Sequence, residues 1–191
     1  MIIGITGGTG AGKTTALSVL QELGAVIIDC DQVYHELLKS SEALQNELFL
    51  NFPAAFVDGS LNRKRLGAIV FSDDALLDKL NDITNKYILN RVSELAQGVP
   101  AAAIDAILLV ESGLADKCDC TVAVAAPAEE RIKRIMAIDW VRREYDVMRV
   151  NAQKSDDFYR SNCDYLLMND GSESIFRQKC EKLFREILGG I

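Results

Sequence analysis

Hydrophobic residues fall in short continuous runs separated by longer stretches in which they recur every three or four positions. The runs Ile2–Ile5, Ala25–Ile28, Ala103–Val110, Thr121–Ala125 and Tyr165–Met168 predict five strands. None alternates apolar with polar, which predicts a sheet buried on both faces. Thr14–Leu23 carries Leu17, Leu20 and Leu23 at helical spacing and stops at Gly24. Val33 to Phe52 reads as helical throughout. Arg63 to Gln97 reads as two or three helices, with Leu66, Val70, Leu80, Ile83, Ile88 and Val92 among its apolar positions. Asp58-Gly59 is a turn. Pro127 to Arg149 reads as mostly helical. Ser172 caps a last helix whose Ile175, Phe176, Cys180, Leu183, Phe184 and Ile187 are expected inward. Strands separated by helices predict an α/β fold with a parallel sheet. The helical stretch between the second and third strands is too long for one crossover and predicts an inserted helical subdomain.

The first strand runs into Gly7-Gly8-Thr9-Gly10-Ala11-Gly12-Lys13-Thr14, which matches G-x-x-x-x-G-K-[ST]. A helix follows directly. Glycines let backbone N–H groups converge on a phosphate without Cβ clashes. The helix N-terminus adds donors and partial positive charge. Lys13 supplies a full charge for the β- and γ-phosphates, Thr14 a hydroxyl for Mg²⁺, and Thr15 a further hydroxyl. Gly8, Thr9, Gly10, Ala11, Gly12, Lys13, Thr14 and Thr15 are therefore the candidate nucleotide-binding residues. The loop alone does not distinguish transfer to a substrate from transfer to water.

Ligands of open parallel sheets bind beyond the carboxyl ends of the strands. Asp29 and Asp31 end the second run and, if extended, face the same side. Asp31 lies further out and is the candidate base for an attacking hydroxyl; capping of the next helix by Asp31 is the simpler reading. Asp29 can hold a Mg²⁺-bound water or cap the helix. Glu111 follows Leu108-Leu109-Val110 and can bind substrate or a metal-bound water, or pair with a neighbouring N–H or Arg. Asp105, inside an apolar run, reads as a bend residue.

Residues 131–160 hold eight basic and five acidic side chains and six of the eleven arginines. Arg131 and Arg134 share a helical face. Cations that close over a transferring phosphoryl group stabilise its charge and exclude water. Arg134 and Arg143 are the candidate catalytic cations, against the plainer reading of a solvated helix with internal ion pairs. Tyr34, Tyr87, Met136, Trp140, Met148 and Tyr159 read mainly as packing.

Composition narrows the partners. The 191 residues are 49% hydrophobic and 26% charged, which fits one globular domain. Net charge is −7, made of +3 in residues 131–160 and −10 elsewhere. An acidic surface argues against nucleic acid and anionic membranes but not against phosphates held at one local cationic site. No apolar run is long enough to span a bilayer. Met1-Ile2-Ile3-Gly4 lacks a basic n-region and a cleavage site, so the expectation is a cytoplasmic protein. Five cysteines, an odd number without a framework, read as reduced thiols. With His35 the sole histidine, Cys118-Asp119-Cys120 does not read as a zinc site.

Together these segments resemble the dephospho-coenzyme A kinase family of P-loop kinases along nearly the whole chain. Ile3 to Thr15 is similar to its first motif, Ile28-Asp29-Cys30-Asp31 to its I-D-A-D segment, and Asp58-Gly59-Ser60-Leu61-Asn62-Arg63 to its D-G-x-L-D-R stretch. Leu108 to Leu114 resembles L-L-F-E-S-G-L. Arg134-Ile135-Met136, Arg143-Glu144 and Asn151-Ala152-Gln153 fall in its lid, and Asn169-Asp170-Gly171 resembles its late N-x-G turn. Asn85-Lys86 stands where the family has His-Pro, Ile107 where it has Pro, Ile138 where it has the lid's Arg, and Tyr34-His35 where it has Ala-Arg.

The resemblance implies a P-loop kinase-type three-layer sandwich with a five-stranded parallel sheet. The core would be residues 1–54, 101–126 and 156–191, with a helical CoA subdomain near 55–100 and a lid near 127–155. It implies ATP and Mg²⁺ and transfer of phosphate to the 3′-hydroxyl of dephospho-CoA, with no obligate protein partner. Asp31 would activate the hydroxyl, Asp31, Arg63 and Glu111 would bind substrate, and Asn169 and Gly171 would lie by the adenine. Two other readings fit the same loop: another small-molecule kinase acting on a nucleoside or nucleoside monophosphate, and a nucleotide-dependent switch without phosphotransfer.

Overall fold

The computed structural model describes residues 1–138 and 153–189. Strand β1 (Ile2–Thr6) is the centre of a five-stranded sheet with β2 (Val26–Asp29), β5 (Ala102–Asp105), β6 (Cys120–Ala125) and β7 (Tyr165–Met168), in the order β2-β5-β1-β6-β7. The remaining strands, β3 (Phe56–Val57) and β4 (Ser60–Leu61), form a separate hairpin. The ladders of β1 with β5 and β6, and of β6 with β7, are parallel, with Ile5 opposite Asp105 and Ala125 opposite Met168. Successive strands thus lie first on one side of β1 and then on the other. That reversal opens a crevice at the carboxyl end of β1.

Helices α1 (Lys13–Glu22) and α8 (Glu173–Gly189) cover one face of the sheet. Their core joins Leu20, Phe176, Cys180 and Phe184 to Ile3, Ile5, Val122 and Val124. Ser172 Oγ accepts from Ile175 N at the start of α8, as expected of a cap. Ile175 itself is half exposed rather than inward, because the helix buries the stripe through Phe176, Cys180 and Phe184. On the opposite face a 3₁₀ turn, Leu114–Lys117, packs against β1, and α7 (Asp156–Asn162) packs against β6 and β7. Helix α6 (Ala128–Ile138) follows β6. The result is a three-layer α/β core.

The third apolar run is a strand only as far as Asp105. Its partner β1 ends at Thr6, so the ladder stops, and Ile107 to Gly113 turn instead. Ser112 N donates to Leu108 O and Gly113 N to Val110 O, which satisfies the turning backbone. Ile107 and Leu108 are exposed while Leu109 is fully buried.

Contacts divide the chain into two compact units, residues 1–28 with 96–191, and Asp29–Leu95. The second contains α2 (Cys30–Ser40), α3 (Glu42–Asn51), α4 (Arg63–Val70), α5 (Asp74–Leu95) and the β3–β4 hairpin. The stretch read as one helix from Val33 to Phe52 breaks at Ser41, whose extended backbone frees its hydroxyl to accept from Leu44 N. Asp58 (φ 50°) and Gly59 (φ 76°) make the hairpin turn. Leu38, Leu44, Leu48, Phe52, Leu66, Val70, Leu80 and Ile83 form one core, so α2 and α3 belong to the same body as α4 and α5. Asn85 and Lys86 lie inside the uninterrupted α5. Lys86 Nζ meets Glu47 Oε2 at 2.7 Å and Tyr87 OH donates to the same oxygen at 2.6 Å, pinning α5 to α3.

Candidate active site

Residues 7–12 leave the carboxyl end of β1 and enter α1 at Lys13. Gly7 (φ 132°), Gly10 (φ 77°) and Gly12 (φ 111°) all take left-handed backbone. A Cβ on Gly7 would strike Val124 O, and one on Gly12 would strike Asn169 Nδ2. The loop therefore rests directly on the ends of β6 and β7, and only glycine permits it. Gly12 is also the N-cap of α1 and offers no side-chain cap, which leaves the positive helix end for an anion. Lys13 Nζ donates to Gly7 O at 3.0 Å and so bridges the loop from its last residue to its first. Thr14, in the first turn of α1, is exposed.

The loop is braced from behind. Asn169, buried at the end of β7, donates through Nδ2 to Ala11 O at 2.8 Å, and its N–H donates to Ala125 O at 2.7 Å. Arg134 Nη1 donates to Gly10 O at 3.3 Å and Ala11 O at 3.4 Å, and Nη2 to Asn169 Oδ1 at 3.3 Å. Arg134 thus meets the loop through main-chain carbonyls. The turn after Asn169 is held by Lys179, which donates to Met168 O at 3.1 Å and Asp170 Oδ1 at 2.6 Å. That pairing keeps the Asp170 carboxyl below its ordinary pKa. A Cβ on Gly171 would meet Ile175 at ordinary van der Waals distance.

Thr9 is gripped at every polar atom. Its N–H donates to Gln153 Oε1 at 3.0 Å, its hydroxyl accepts from Gln153 Nε2 at 2.8 Å, and its carbonyl accepts from Arg131 Nε at 3.0 Å. Arg131 Nη2 donates to Gln153 Oε1 as well. Burial pushes the Arg131 guanidinium below its ordinary pKa, against the opposing pull of Tyr159 and Asp156. Neither Arg131 nor Gln153 stood out as a site residue from sequence. Their traces are the face that Arg131 shares with Arg134 and the place of Gln153 in the Asn151-Ala152-Gln153 segment that resembles the lid.

The carboxylates divide differently from their spacing. Asp29 Oδ1 accepts from Gln32 N at 3.0 Å and is the N-cap of α2. Helix α2 starts at Cys30, so Asp31 lies in its first turn, and the strand rule that put both carboxylates on one side does not apply. The cap belongs to Asp29, and Asp31 is exposed. Tyr34 follows Asp31 by one helical turn, and its hydroxyl pKa is raised by burial against the lowering charge of Arg63. Arg63 is the first residue of α4. Within the second unit Tyr34 thus lies near Arg63 and one helical turn from Asp31. Glu111 lies in the exposed turn after β5 instead of at a strand end, and its charge raises the pKa of Tyr159 as a minor contribution beside burial. Asp105 takes the true end of β5, beside the strand that feeds the loop. Arg143 lies outside the described residues.

A family model described as dephospho-CoA kinase matches residues 1–174. The chain belongs to the dephospho-CoA kinase family. It is 35% identical over 176 residues to the dephospho-CoA kinase of Latilactobacillus sakei, covering 89% of this chain and 87% of that one. It is 33% identical to that of Corynebacterium diphtheriae, covering 97% and 94%. A solved protein of Thermus thermophilus superposes with a TM-score of 0.80 at 32% identity, covering 100% and 97%. The dephospho-CoA kinase of Campylobacter jejuni gives 0.71 at 26%, covering 99% and 98%. A shikimate kinase of Acinetobacter baumannii, at 18% identity and a TM-score of 0.59 over 99% and 93%, shares the fold. Membership of this family makes the chain a nucleotide-binding phosphotransferase.

Proposed function

We propose that the chain transfers the γ-phosphoryl group of ATP to the 3′-hydroxyl of dephospho-CoA, giving CoA and ADP, the last step of coenzyme A synthesis. The observation that carries this reading is the family match across residues 1–174, which includes the whole glycine loop with Lys13 bonded across it.

The loop N–H groups and the N-terminus of α1 bind the phosphates of ATP. Lys13, already aligned over the loop, offsets the charge that spreads over the γ-phosphoryl oxygens. Asp31 accepts the proton of the ribose hydroxyl as its oxygen bonds to the γ-phosphorus and the bond to ADP breaks. Arg63 and Glu111 bind the acceptor. Arg134 and Arg143 are the further cations of the reaction, and Asn169 and Gly171 border the adenine.

Mg²⁺ fits the donors present. The exposed Thr14 hydroxyl in the first turn of α1 and the Asp105 carboxylate at the end of β5 are hard oxygen donors, and the described residues hold no cluster of three or more His, Cys, Asp or Glu. So sparse a protein contribution suits an ion that keeps several waters and binds mainly through substrate phosphates. When bound, the ion neutralises phosphate charge and orients the γ-phosphoryl group. Among the described residues no helix is long and apolar enough to cross a membrane; we place the enzyme in the cytoplasm, acting on small molecules without an obligate protein partner.

The test is acceptor-dependent ADP release with dephospho-CoA, AMP, CMP, uridine and gluconate offered in parallel. Release with dephospho-CoA alone is expected. Release with another acceptor and none with dephospho-CoA overturns the reading.

A further inference from the structure

Arg131 is a cation held almost wholly out of water, with 9% of its surface exposed. Its hydrogen bonds among the described residues go to two neutral oxygens, Thr9 O and Gln153 Oε1. Among the described residues no ion pair joins it to a carboxylate, although its close neighbours on α6, Glu130 and Lys133, pair with each other at 2.7 Å. Asp156 acts on the guanidinium only from beyond ion-pair distance, and a buried charge so weakly offset is costly unless a ligand adds a counter-charge.

The place where that charge sits is specific. A Cβ on Gly8 would run into both Arg131 Nη2 and Gln153 Oε1, so the two side-chain heads lie directly against the glycine loop. There Gln153 Oε1 accepts from two donors at once, the Thr9 N–H and Arg131 Nη2. A main-chain N–H and a guanidinium N–H converging on one oxygen is how a phosphate oxygen is held in charge-assisted recognition.

We infer that Arg131 is a phosphate-binding residue for ATP, and that Gln153 Oε1 occupies the position a phosphate oxygen takes between Arg131 and the Thr9 N–H. This rests on the proposed kinase reading and adds a cation to the nucleotide side of its site. Gln153 and the triphosphate compete for the same two donors. The buried guanidinium gains a counter-charge when the phosphate replaces the carboxamide.

Four variants test it by steady-state kinetics, by inhibition with inorganic tripolyphosphate and by thermal melting. Arg131→Gln raises KM for ATP and the inhibition constant of tripolyphosphate at least tenfold, while KM for dephospho-CoA stays within twofold. Arg131→Lys keeps the charge and recovers part of that loss. Gln153→Ala removes the competitor and tightens tripolyphosphate at least twofold. Gln153→Glu places a carboxylate between the donors; it raises the melting temperature by pairing the buried cation and weakens tripolyphosphate at least tenfold.

Gln153→Ala and Gln153→Glu thus move phosphate affinity in opposite directions, which a purely structural Gln153 does not produce. An Arg131→Gln protein that binds tripolyphosphate like the parent overturns the assignment, as does a Gln153→Ala protein that binds it tenfold more weakly. If Arg131→Gln does not fold, the two Gln153 variants still decide. A parent protein that binds ATP but never phosphorylates dephospho-CoA overturns the proposed function and leaves the phosphate assignment standing.

Discussion

Asn169 Nδ2 donates to Ala11 O across 2.8 Å, joining the end of β7 to the last turn of the glycine loop. Asn169 is buried, so Asn169→Ala leaves the Ala11 carbonyl without this partner. Such a loss costs about 1–3 kcal/mol. For a chain of this size that lowers the melting temperature by about 2–12 °C. Calorimetry of the variant checks it, and an unchanged melting temperature removes Asn169 as the brace of the loop.

The glycines of the chain are not equivalent. Gly7→Ala drives a methyl group into Val124 O, a main-chain atom that cannot swing aside, and is expected to abolish folding or ATP binding. Gly59→Ala meets nothing within 4 Å and has only its φ of 76° against it. Left-handed backbone costs about 1–2 kcal/mol for an ordinary residue. Denaturant unfolding of the pair should show a folded, active Gly59→Ala beside a severely damaged Gly7→Ala.

Lys13 and Asp31 are predicted to separate binding from transfer. Lys13→Met loses a cation that faces phosphate in both ground and transition states, so both ATP affinity and turnover fall. Asp31→Asn keeps ATP affinity and loses about 10²-fold or more in turnover, the contribution of a positioned base. Asp31→Asn turning over at the parent rate would remove Asp31 from the mechanism.

Acid sensitivity is expected where β6 meets β7. Asp164 Oδ2 accepts from Thr121 Oγ1 and Thr121 N, both at 2.7 Å. These bonds, the side-chain one first, hold the carboxyl below its ordinary value of 3.8. A carboxyl depressed in the folded state stabilises fully above its unfolded pKa, and the contribution is lost as pH falls through the lower folded value. The Asp164 contribution is therefore intact at neutral pH and disappears below about pH 4. Asp164→Asn should melt lower than the parent at pH 7, with the gap closing toward pH 3. A gap that stays constant with pH contradicts the assignment.

The glycine loop was legible in the sequence because its chemistry is contiguous: the glycines, Lys13 and Thr14 bind one ligand from neighbouring positions. The sheet was legible because its strands read as unbroken apolar runs, the inner three buried on both faces and the edge strands β2 and β7, with Val26 and Tyr165 exposed, only in part. What the runs do not encode is where a partner strand ends. Ile107 and Leu108 are as apolar as any strand residue, yet β1 stops at Thr6 and they turn outward. The same limit hid Asp105 inside a run and put Glu111 at a strand end it does not occupy. Asp29 and Asp31 were paired by a rule for extended chain, whereas one caps α2 and the other lies within it. Local pattern could place Arg131 and Gln153 near the lid but not pair them with Thr9, more than a hundred positions away.

The cysteines bear on how the protein is handled as well as on its chemistry. Burial, and then the charges of Asp119, Cys120 and Asp164, push the Cys118 thiol up to about 12. Burial and the same two aspartates push Cys120 up to about 11, with Asp164 the stronger. Only the thiolate reacts at an appreciable rate, and a free cysteine titrates near 8.5. At pH 8 both thiols are therefore expected to alkylate with iodoacetamide at least tenfold more slowly than free cysteine, although Cys118 is only partly buried. Unfolding in denaturant should release both. Asp119→Asn removes the charge beside Cys118 and should speed its alkylation in the folded protein more than that of Cys120. A mass-spectrometric time course reads each site, and alkylation of Cys118 in the folded parent at the rate of free cysteine would show that burial does not hold its proton in place.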